Sequence, residues 1–153
     1  MKPDANYTVP HIIDGVPLVS SDSFAVVSPA TGEKLWSASN ASAETVTAAL
    51  AAATTAYPAW RALGATARGN LLLAAAAQLE KATPELVEAM TLETAADESW
   101  CRINIANSLE MLRGVAGRIP AAVEGRLPVT RDPKTTALIV KEPYGVVLSI
   151  APW

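Results

Sequence analysis

A chain of 153 residues is the size of one domain, and its 50% hydrophobic and 18% charged residues make a globular composition, not a disordered one. The net charge of -3 argues against a nucleic-acid partner, because the sequence has no basic stripe to neutralise phosphates. No apolar stretch approaches the ~20 residues of a membrane span, and the N-terminus lacks the apolar core of a signal peptide. One cysteine excludes an internal disulfide, so we expect a cytoplasmic protein with no membrane or nucleic-acid partner.

Residues 1–41 predict a β entry segment made of short strands. An apolar run at residues 11–13 is closed by Asp14-Gly15, a strong hairpin signal. A second strand is expected at residues 24–28, ended by Pro29. His11, the one histidine, is then expected at an edge or surface of the first of these strands.

Residues 42–120 are rich in alanine and predict a four-helix region. Ser42 is a plausible N-cap for the first helix, which Pro58 should end or kink. Thr66 could cap the second helix, whose apolar residues fall on one face. Stripes of this kind are usually core and indicate no cofactor site.

The third and fourth helices have their own start and end signals. Thr83-Pro84-Glu85 combines a capping hydroxyl, a proline in the first turn and a carboxylate near the positive end of the dipole, and the helix should run towards Asp97. The fourth helix carries an apolar stripe and should loosen near two glycines. The stripe is Ile105, Leu109, Leu112 and Ala116, and the glycines are Gly114 and Gly117.

Residues 121–153 are expected to be extended. Residues 121–141 predict a hairpin, with strands at 123–129 and 135–140 around a polar loop. After a turn built on Pro143 and Gly145, residues 142–153 form an apolar run that predicts a short strand buried in a parallel sheet. Further strands and crossover helices would be needed to cover such a strand, so we expect the opening portion of a larger enzyme.

Four segments of the sequence resemble, in order and spacing, the N-terminal part of the aldehyde dehydrogenases. They are 27–33 (Val-Ser-Pro-Ala-Thr-Gly-Glu), 57–61 (Tyr-Pro-Ala-Trp-Arg) with Arg68 and Leu71-Leu72, 92–95 (Leu-Glu-Thr-Ala), and 142–153 with Glu-Pro-Tyr-Gly-Val-Val and Ile-Ala-Pro-Trp. The first and last segments are most similar to the salicylaldehyde and vanillin dehydrogenases. The resemblance implies an α/β fold in which this chain is an incomplete N-terminal, NAD-binding domain.

The resemblance also implies a chemistry: NAD(P)-dependent oxidation of an aromatic aldehyde to the carboxylic acid, by a cysteine thiolate and a water-activating glutamate. In the family both residues lie beyond residue 153, so no catalytic residue is assigned here. Cys101 is expected to be an inert packed residue, because it lacks the glycine-rich setting of the family's nucleophile. Glu93 and Glu142 are expected to be solvated or capping carboxylates.

Four residues of this chain correspond by resemblance to the end of the strand that lines the cofactor cleft. We predict Ile150, Ala151, Pro152 and Trp153 as cofactor-binding by position, since ligands of open α/β sheets bind at the carboxyl ends of strands. The intact family uses NAD or NADP. We expect this chain alone to bind neither, because the phosphate-binding loop lies downstream in the family.

The sequence departs from the family's pattern at Ala95-Ala96, where many relatives carry glycine and then lysine. Glycine there would permit a backbone conformation that alanine resists. We interpret the departure as a tolerated variation at a helix end.

Two functional hypotheses and one non-functional alternative follow. The chain is an aldehyde dehydrogenase shortened by a premature stop or an incomplete gene model, or it is a non-catalytic partner that attaches to aldehyde dehydrogenase subunits through the 121–141 hairpin. The alternative is an unstable remnant without function. We also expect loose packing or self-association, because Val146, Val147 and Ile150 would have no sheet to enter.

Overall fold

The computed structural model describes residues 5–151, which form an α/β arrangement of short strands followed by four helices. This confirms the predicted α/β class and the four helices. The strands are β1 (Thr8–Val9), β2 (His11–Ile13), β3 (Val16–Leu18), β4 (Ser23–Val27) and β5 (Lys34–Ser39). The helices are α1 (Ala43–Ala62), α2 (Ala65–Lys81), α3 (Thr83–Thr94) and α4 (Glu98–Ala122).

The short strands of the predicted β entry segment form two small sheets. In the larger sheet β5 lies between β1, which runs parallel to it, and β4, which runs antiparallel. The smaller sheet is the hairpin of β2 and β3. Its turn places both Asp14 (φ 52°) and Gly15 (φ 74°) in the left-handed region, as a tight hairpin turn requires. The turn signal in the sequence is therefore confirmed.

The first two helices begin and end differently from the prediction in two places. Ser42 is the N-cap of α1 as expected, and its side chain accepts a hydrogen bond from the Thr45 amide at 3.2 Å. Pro58 does not end α1, which continues to Ala62. The proline removes one hydrogen bond to the Thr54 carbonyl, and Thr54 is exposed, so water can satisfy that oxygen. Thr66 does not cap α2, because Gly64 occupies the N-cap position without a side-chain hydrogen bond.

A short break separates α3 from α4. It begins after Thr94, three residues before the end that the sequence predicts for α3. The helix α3 begins at Thr83 with Pro84 in its first turn, but the Thr83 hydroxyl donates back to the Leu79 carbonyl at 3.2 Å and caps nothing. It ends at Thr94, and Asp97 instead caps α4 by accepting the Ser99 amide at 2.8 Å. The prediction that α3 runs towards Asp97 is therefore wrong at its end.

The long helix α4 continues through its glycines and through Pro120, so the predicted loosening near Gly114 is wrong. Packing explains its persistence, because α4 lies along α2 for much of its length. The two backbones approach so closely that a Cβ built on Gly69 would stand 3.0 Å from the Ala116 carbonyl oxygen. Tertiary packing here outweighs the weak helix propensity of glycine.

The core lies between α2, α3 and α4. Its buried members are Ala76, Val87, Cys101, Ile105 and Leu109, flanked by half-buried leucines and Met90. Trp36 of β5 is also buried, outside this cluster. Its indole N–H donates to Glu93 Oε1 at 2.9 Å, and this hydrogen bond joins the larger sheet to α3. Glu93 therefore links strand and helix while remaining exposed, as expected of a solvated carboxylate.

Ala95 ends α3 in the left-handed conformation, with φ 54° and ψ 22°. A residue with a Cβ pays about 1–2 kcal/mol in that region, and glycine avoids the clash. We expect Ala95→Gly to raise the free energy of unfolding by about 1 kcal/mol, measured by urea denaturation. The matched control is Ala53→Gly in the exposed interior of α1, which should lower stability by about 0.5–1 kcal/mol. Equal, destabilising effects of both substitutions would contradict the argument.

The hairpin predicted for residues 121–141 is present only as a single bridge. Arg126 and Ile139 exchange two backbone hydrogen bonds of 2.9 Å, and no regular strand surrounds them in residues 5–151. Gly125 is required beside the bridge, because a Cβ there would stand 2.6 Å from the Ile139 carbonyl oxygen. The predictions of strands at residues 123–129 and 135–140 are therefore wrong. Two short segments that pair only with each other make a marginal ladder.

The polar loop of this segment is nevertheless well organised. The Asp132 carboxylate accepts the Lys134 amide and the Thr135 hydroxyl, each at 2.9 Å, and these bonds hold the pKa of Asp132 below its ordinary value. The Thr130 hydroxyl closes the loop by donating to the Thr135 carbonyl at 2.6 Å.

Residues 142–151 do not form the predicted buried strand. No strand of the described part of the chain lies beside them, so their backbone has no ladder to join. Their start is tied to α1, since Arg61 forms a 2.5 Å ion pair with Glu142, and the Tyr57 hydroxyl donates to the Pro143 carbonyl at 3.5 Å. Glu142 is thus an ion-pair partner and is also solvated as expected, since 67% of its side chain is exposed.

Candidate functional site

The predicted cofactor-binding residues are not assembled into a site by the described part of the chain. Ile150 is 86% exposed and Ala151 is also exposed. Pro152 and Trp153 lie outside the described residues. Two exposed apolar residues supply neither a phosphate cradle nor a polar group for a ribose. The assignment of these four positions stays a prediction.

Cys101 is placed where a substrate has no access to it. Its side chain is 0% exposed within the core, and its sulfur lies 3.6 Å from the Thr91 hydroxyl. A nucleophilic cysteine needs a partly exposed, electropositive setting that lowers its pKa. The geometry is that of a packed residue, as the sequence predicts.

In the described part of the chain, His11 and the acidic residues form no metal-binding cluster. His11 lies in the two-stranded sheet, half-buried, with Nε2 3.1 Å from the Ser20 hydroxyl. Within residues 5–151 no group of three His, Cys, Asp or Glu residues is arranged to hold a metal ion. In the same part of the chain, no helix is both long and apolar enough to span a bilayer.

A basic concave site of about 370 Å³ lies where α1 ends, α2 begins, α4 ends and residues 141–143 pass. We call it the basic cavity. It is lined by Arg61, Arg68, Ala122, Val123, Lys141, Glu142 and Pro143. Sequence reasoning missed it, because about 80 positions separate Arg61 from Glu142 and no local spacing relates them.

A second concavity, of about 500 Å³, lies along one exposed face of α4. Its lining includes Met111 and, about one turn further along the helix, Gly114 and Val115. Asn107, Glu110 and Arg118 surround them, and none of these groups converges on a common point with a reactive partner.

With this geometry established, comparison with known proteins settles the family. The sequence profile described as "Aldehyde dehydrogenase family" matches residues 18–153. The chain belongs to the aldehyde dehydrogenase family. The resemblance seen in the four sequence segments is therefore confirmed.

The relatives include enzymes of the aromatic-aldehyde branch. A vanillin dehydrogenase from a Pseudomonas species is 38% identical over 149 residues, which is 96% of this chain and 31% of that enzyme. A salicylaldehyde dehydrogenase from Pseudomonas putida is 30% identical over 136 residues, covering 88% of this chain and 28% of that enzyme. The chain thus spans under a third of the length of these two relatives.

Solved structures give the same relationship in three dimensions. A salicylaldehyde dehydrogenase from Pseudomonas putida complexed with salicylaldehyde superposes with a TM-score of 0.83 at 25% identity, over 89% of this chain and 28% of that one. An NAD-dependent benzaldehyde dehydrogenase from Corynebacterium glutamicum gives 0.75 at 25% identity, over 84% of this chain and 28% of that one. An NADP-dependent enzyme from E. coli gives 0.83, also at 25% identity, over 90% and 29%. NAD and NADP dependence therefore both occur among the structural relatives.

Proposed function

We propose that this chain is the N-terminal portion of an aldehyde dehydrogenase that oxidises an aromatic aldehyde to the carboxylic acid with NAD or NADP, and that the chain alone is inactive. The observation that carries the proposal is the similarity to vanillin and salicylaldehyde dehydrogenases over 96% and 88% of this chain. The likeness to a salicylaldehyde dehydrogenase with its aldehyde bound supports the same substrate class.

Within such an enzyme this portion acts as a scaffold. The core between α2, α3 and α4 and the Trp36–Glu93 hydrogen bond make a packed layer of helices and strands. The Arg61–Glu142 ion pair holds the start of residues 142–151 against α1. These apolar residues then lead towards the strand position that the resemblance assigns to the nucleotide sheet. Bound cofactor would accept the hydride, while this portion contributes position and not reactive groups.

A chimera tests the proposal. Residues 18–153 of this chain replace the matching segment of the Pseudomonas vanillin dehydrogenase, and NAD(P)H formation is followed with vanillin, benzaldehyde and an aliphatic aldehyde. We expect a soluble chimera that oxidises the aromatic aldehydes, because the segment supplies the fold and the recipient supplies the chemistry.

The parent enzyme is the positive control, and the chimera with its recipient's nucleophilic cysteine changed to alanine is the negative one. A folded chimera that oxidises no aldehyde would count against the enzyme function. A chimera that prefers the aliphatic aldehyde would contradict only the aromatic part of the proposal.

A second candidate function is favoured by one observation. Residues 123–140 carry a run of exposed apolar side chains beside a single bridge, among them Leu127 and Leu138. Such a segment can add to the sheet edge of another chain. We propose that, if the chain acts as a separate protein, it attaches to aldehyde dehydrogenase subunits through residues 121–141 and is not catalytic.

Co-purification with full-length vanillin dehydrogenase tests this second candidate. Leu127→Lys and Leu138→Lys should each abolish capture, since a buried lysine opposes an apolar contact. Ile103→Lys is the matched control, because it changes an exposed apolar residue of α4 about 30 Å from the end of that helix, at ~1.5 Å per residue. Capture that survives both leucine substitutions would exclude the segment as the contact.

A further inference from the structure

We propose that the basic cavity binds a phosphate group, whether as free inorganic phosphate or on a small phosphate monoester. Three of its seven lining residues are cationic, Arg61, Arg68 and Lys141, and only Glu142 is acidic. The chain as a whole carries a net charge of -3, so the cavity is a positively charged region of an acidic protein.

The charge of the cavity fits a dianion better than a single carboxylate. Glu142 neutralises Arg61 through their 2.5 Å ion pair, and Arg68 and Lys141 then contribute two further positive charges. Within residues 5–151 neither Arg68 nor Lys141 has an ion-pair partner. A phosphate monoester carries about -1.5 to -2 at neutral pH, which would balance these two charges.

In residues 5–151, one hydrogen-bond donor of Arg68 remains without a partner. Its Nε is buried and has no hydrogen-bond partner among the described residues, and a buried unpaired donor costs stability until a partner reaches it. Arg68 also lies in the first turn of α2, whose positive end has no acidic residue and no side-chain cap. A guanidinium presents its N–H groups in a fixed fork that matches two oxygens of a phosphate.

The volume of about 370 Å³ lies in the range of small-molecule sites. It leaves space beyond one phosphate group, and the apolar walls at Ala122, Val123 and Pro143 could cover the organic part of a monoester. A small phosphate ester is therefore compatible with both the polar and the apolar walls.

A titration of the full 153-residue chain tests the proposal. The ligands are inorganic phosphate, phenyl phosphate and acetate, and binding is measured by calorimetry and by NMR amide shifts. We expect saturable binding of both phosphates, with amide shifts at residues 61, 68 and 141, and no comparable binding of acetate. Tighter binding of phenyl phosphate would identify the monoester as the better ligand, and equal binding would identify free phosphate. Binding of acetate as tightly as phosphate, or no binding at all, would overturn the proposal.

Substitutions locate the site and give effects of opposite sign. Arg68→Met and Lys141→Met should each weaken phosphate binding about tenfold, the factor that 1.4 kcal/mol represents. Lys141 is exposed, so its variant should fold even if the Arg68 variant does not. Glu142→Gln should tighten binding several-fold, because it removes the one carboxylate that competes for Arg61.

Arg102→Met is the matched control. It removes the same charge from the chain, but Arg102 pairs with Glu98 near the start of α4, about 30 Å from the end of α4 that lines the cavity, at ~1.5 Å per residue. Its binding should equal that of the unaltered chain. An equal loss in Arg102→Met and Lys141→Met would show that phosphate responds only to net charge, and the site would be refuted.

Discussion

The isolated 153-residue chain should show no NAD- or NADP-linked oxidation of benzaldehyde, salicylaldehyde or vanillin. Its one cysteine, Cys101, is 0% exposed, so no thiolate can attack an aldehyde. Removing the nucleophile of a covalent mechanism can cost ~10⁶ in rate. Removing one oxyanion donor costs a further ~10²–10³ where the effects are independent. The loss of the nucleophile alone is sufficient to make the rate unmeasurable.

The measurement is NAD(P)H absorbance at high protein concentration, with Cys101→Ala as the matched control. Both proteins should be equally silent, because Cys101 acts only as a packed side chain of the core. Turnover by the unaltered chain that disappears in Cys101→Ala would contradict both the inactivity and the interpretation of this cysteine. Turnover present in both would reveal a reaction that does not use the family's chemistry.

Sequence signals predicted the structure correctly where the structure depends on a few neighbouring residues. The Asp14-Gly15 turn and the Ser42 cap each depend on a few adjacent residues, and both are confirmed. Thr66 and Thr83 carry the same hydroxyl as a capping residue but do not cap. A hydroxyl caps from an extended residue just before the helix, whereas Thr66 is the second residue of α2 and Thr83 is the first residue of α3.

The remaining differences come from contacts between distant parts of the chain. Gly114 lies inside α4 because α4 packs along α2, which no pattern around the glycine reveals. The extended residues after α4 have the apolar runs of strands, but a strand exists only when another strand pairs with it. The basic cavity joins residues 61 and 68 to residues 141 and 142, and spacing alone cannot bring such positions together. Glu93 was visible in the sequence, but its partner Trp36 lies 57 positions away.

The departure at Ala95 shows how a sequence comparison gains a physical meaning. The resemblance marked position 95 as one where many relatives carry glycine, and the backbone there has φ 54°. Alanine is tolerated in that conformation at a cost, and the short break between α3 and α4 is kept. Ala95 is therefore a tolerated helix-end variation that lowers the stability of the chain, and substitution by glycine measures this cost.

Truncation of the core should have the largest effect on stability. Ile105 is 5% exposed and packs in the cluster with Val87, Cys101 and Leu109. Replacing a buried isoleucine by alanine removes apolar contacts and leaves a cavity, at about 2–5 kcal/mol. A whole domain is stable by only ~5–15 kcal/mol, and the exposed side chains of Val147 and Ile150 contribute no burial here. We therefore expect Ile105→Ala to abolish cooperative unfolding.

Ile103→Ala is the matched control for that substitution, since Ile103 lies on the same helix, loses the same atoms and is 58% exposed. Its free energy of unfolding should stay within about 0.5 kcal/mol of that of the unaltered chain, as is usual for surface changes. Urea denaturation followed by far-UV circular dichroism measures both, with a dye that binds exposed apolar surface as a second probe. Equal losses in the two variants would mean that α2, α3 and α4 do not pack around Ile105 in solution. A full-strength cooperative transition in Ile105→Ala would contradict the prediction directly, because it would place most of the stability of the chain outside this core.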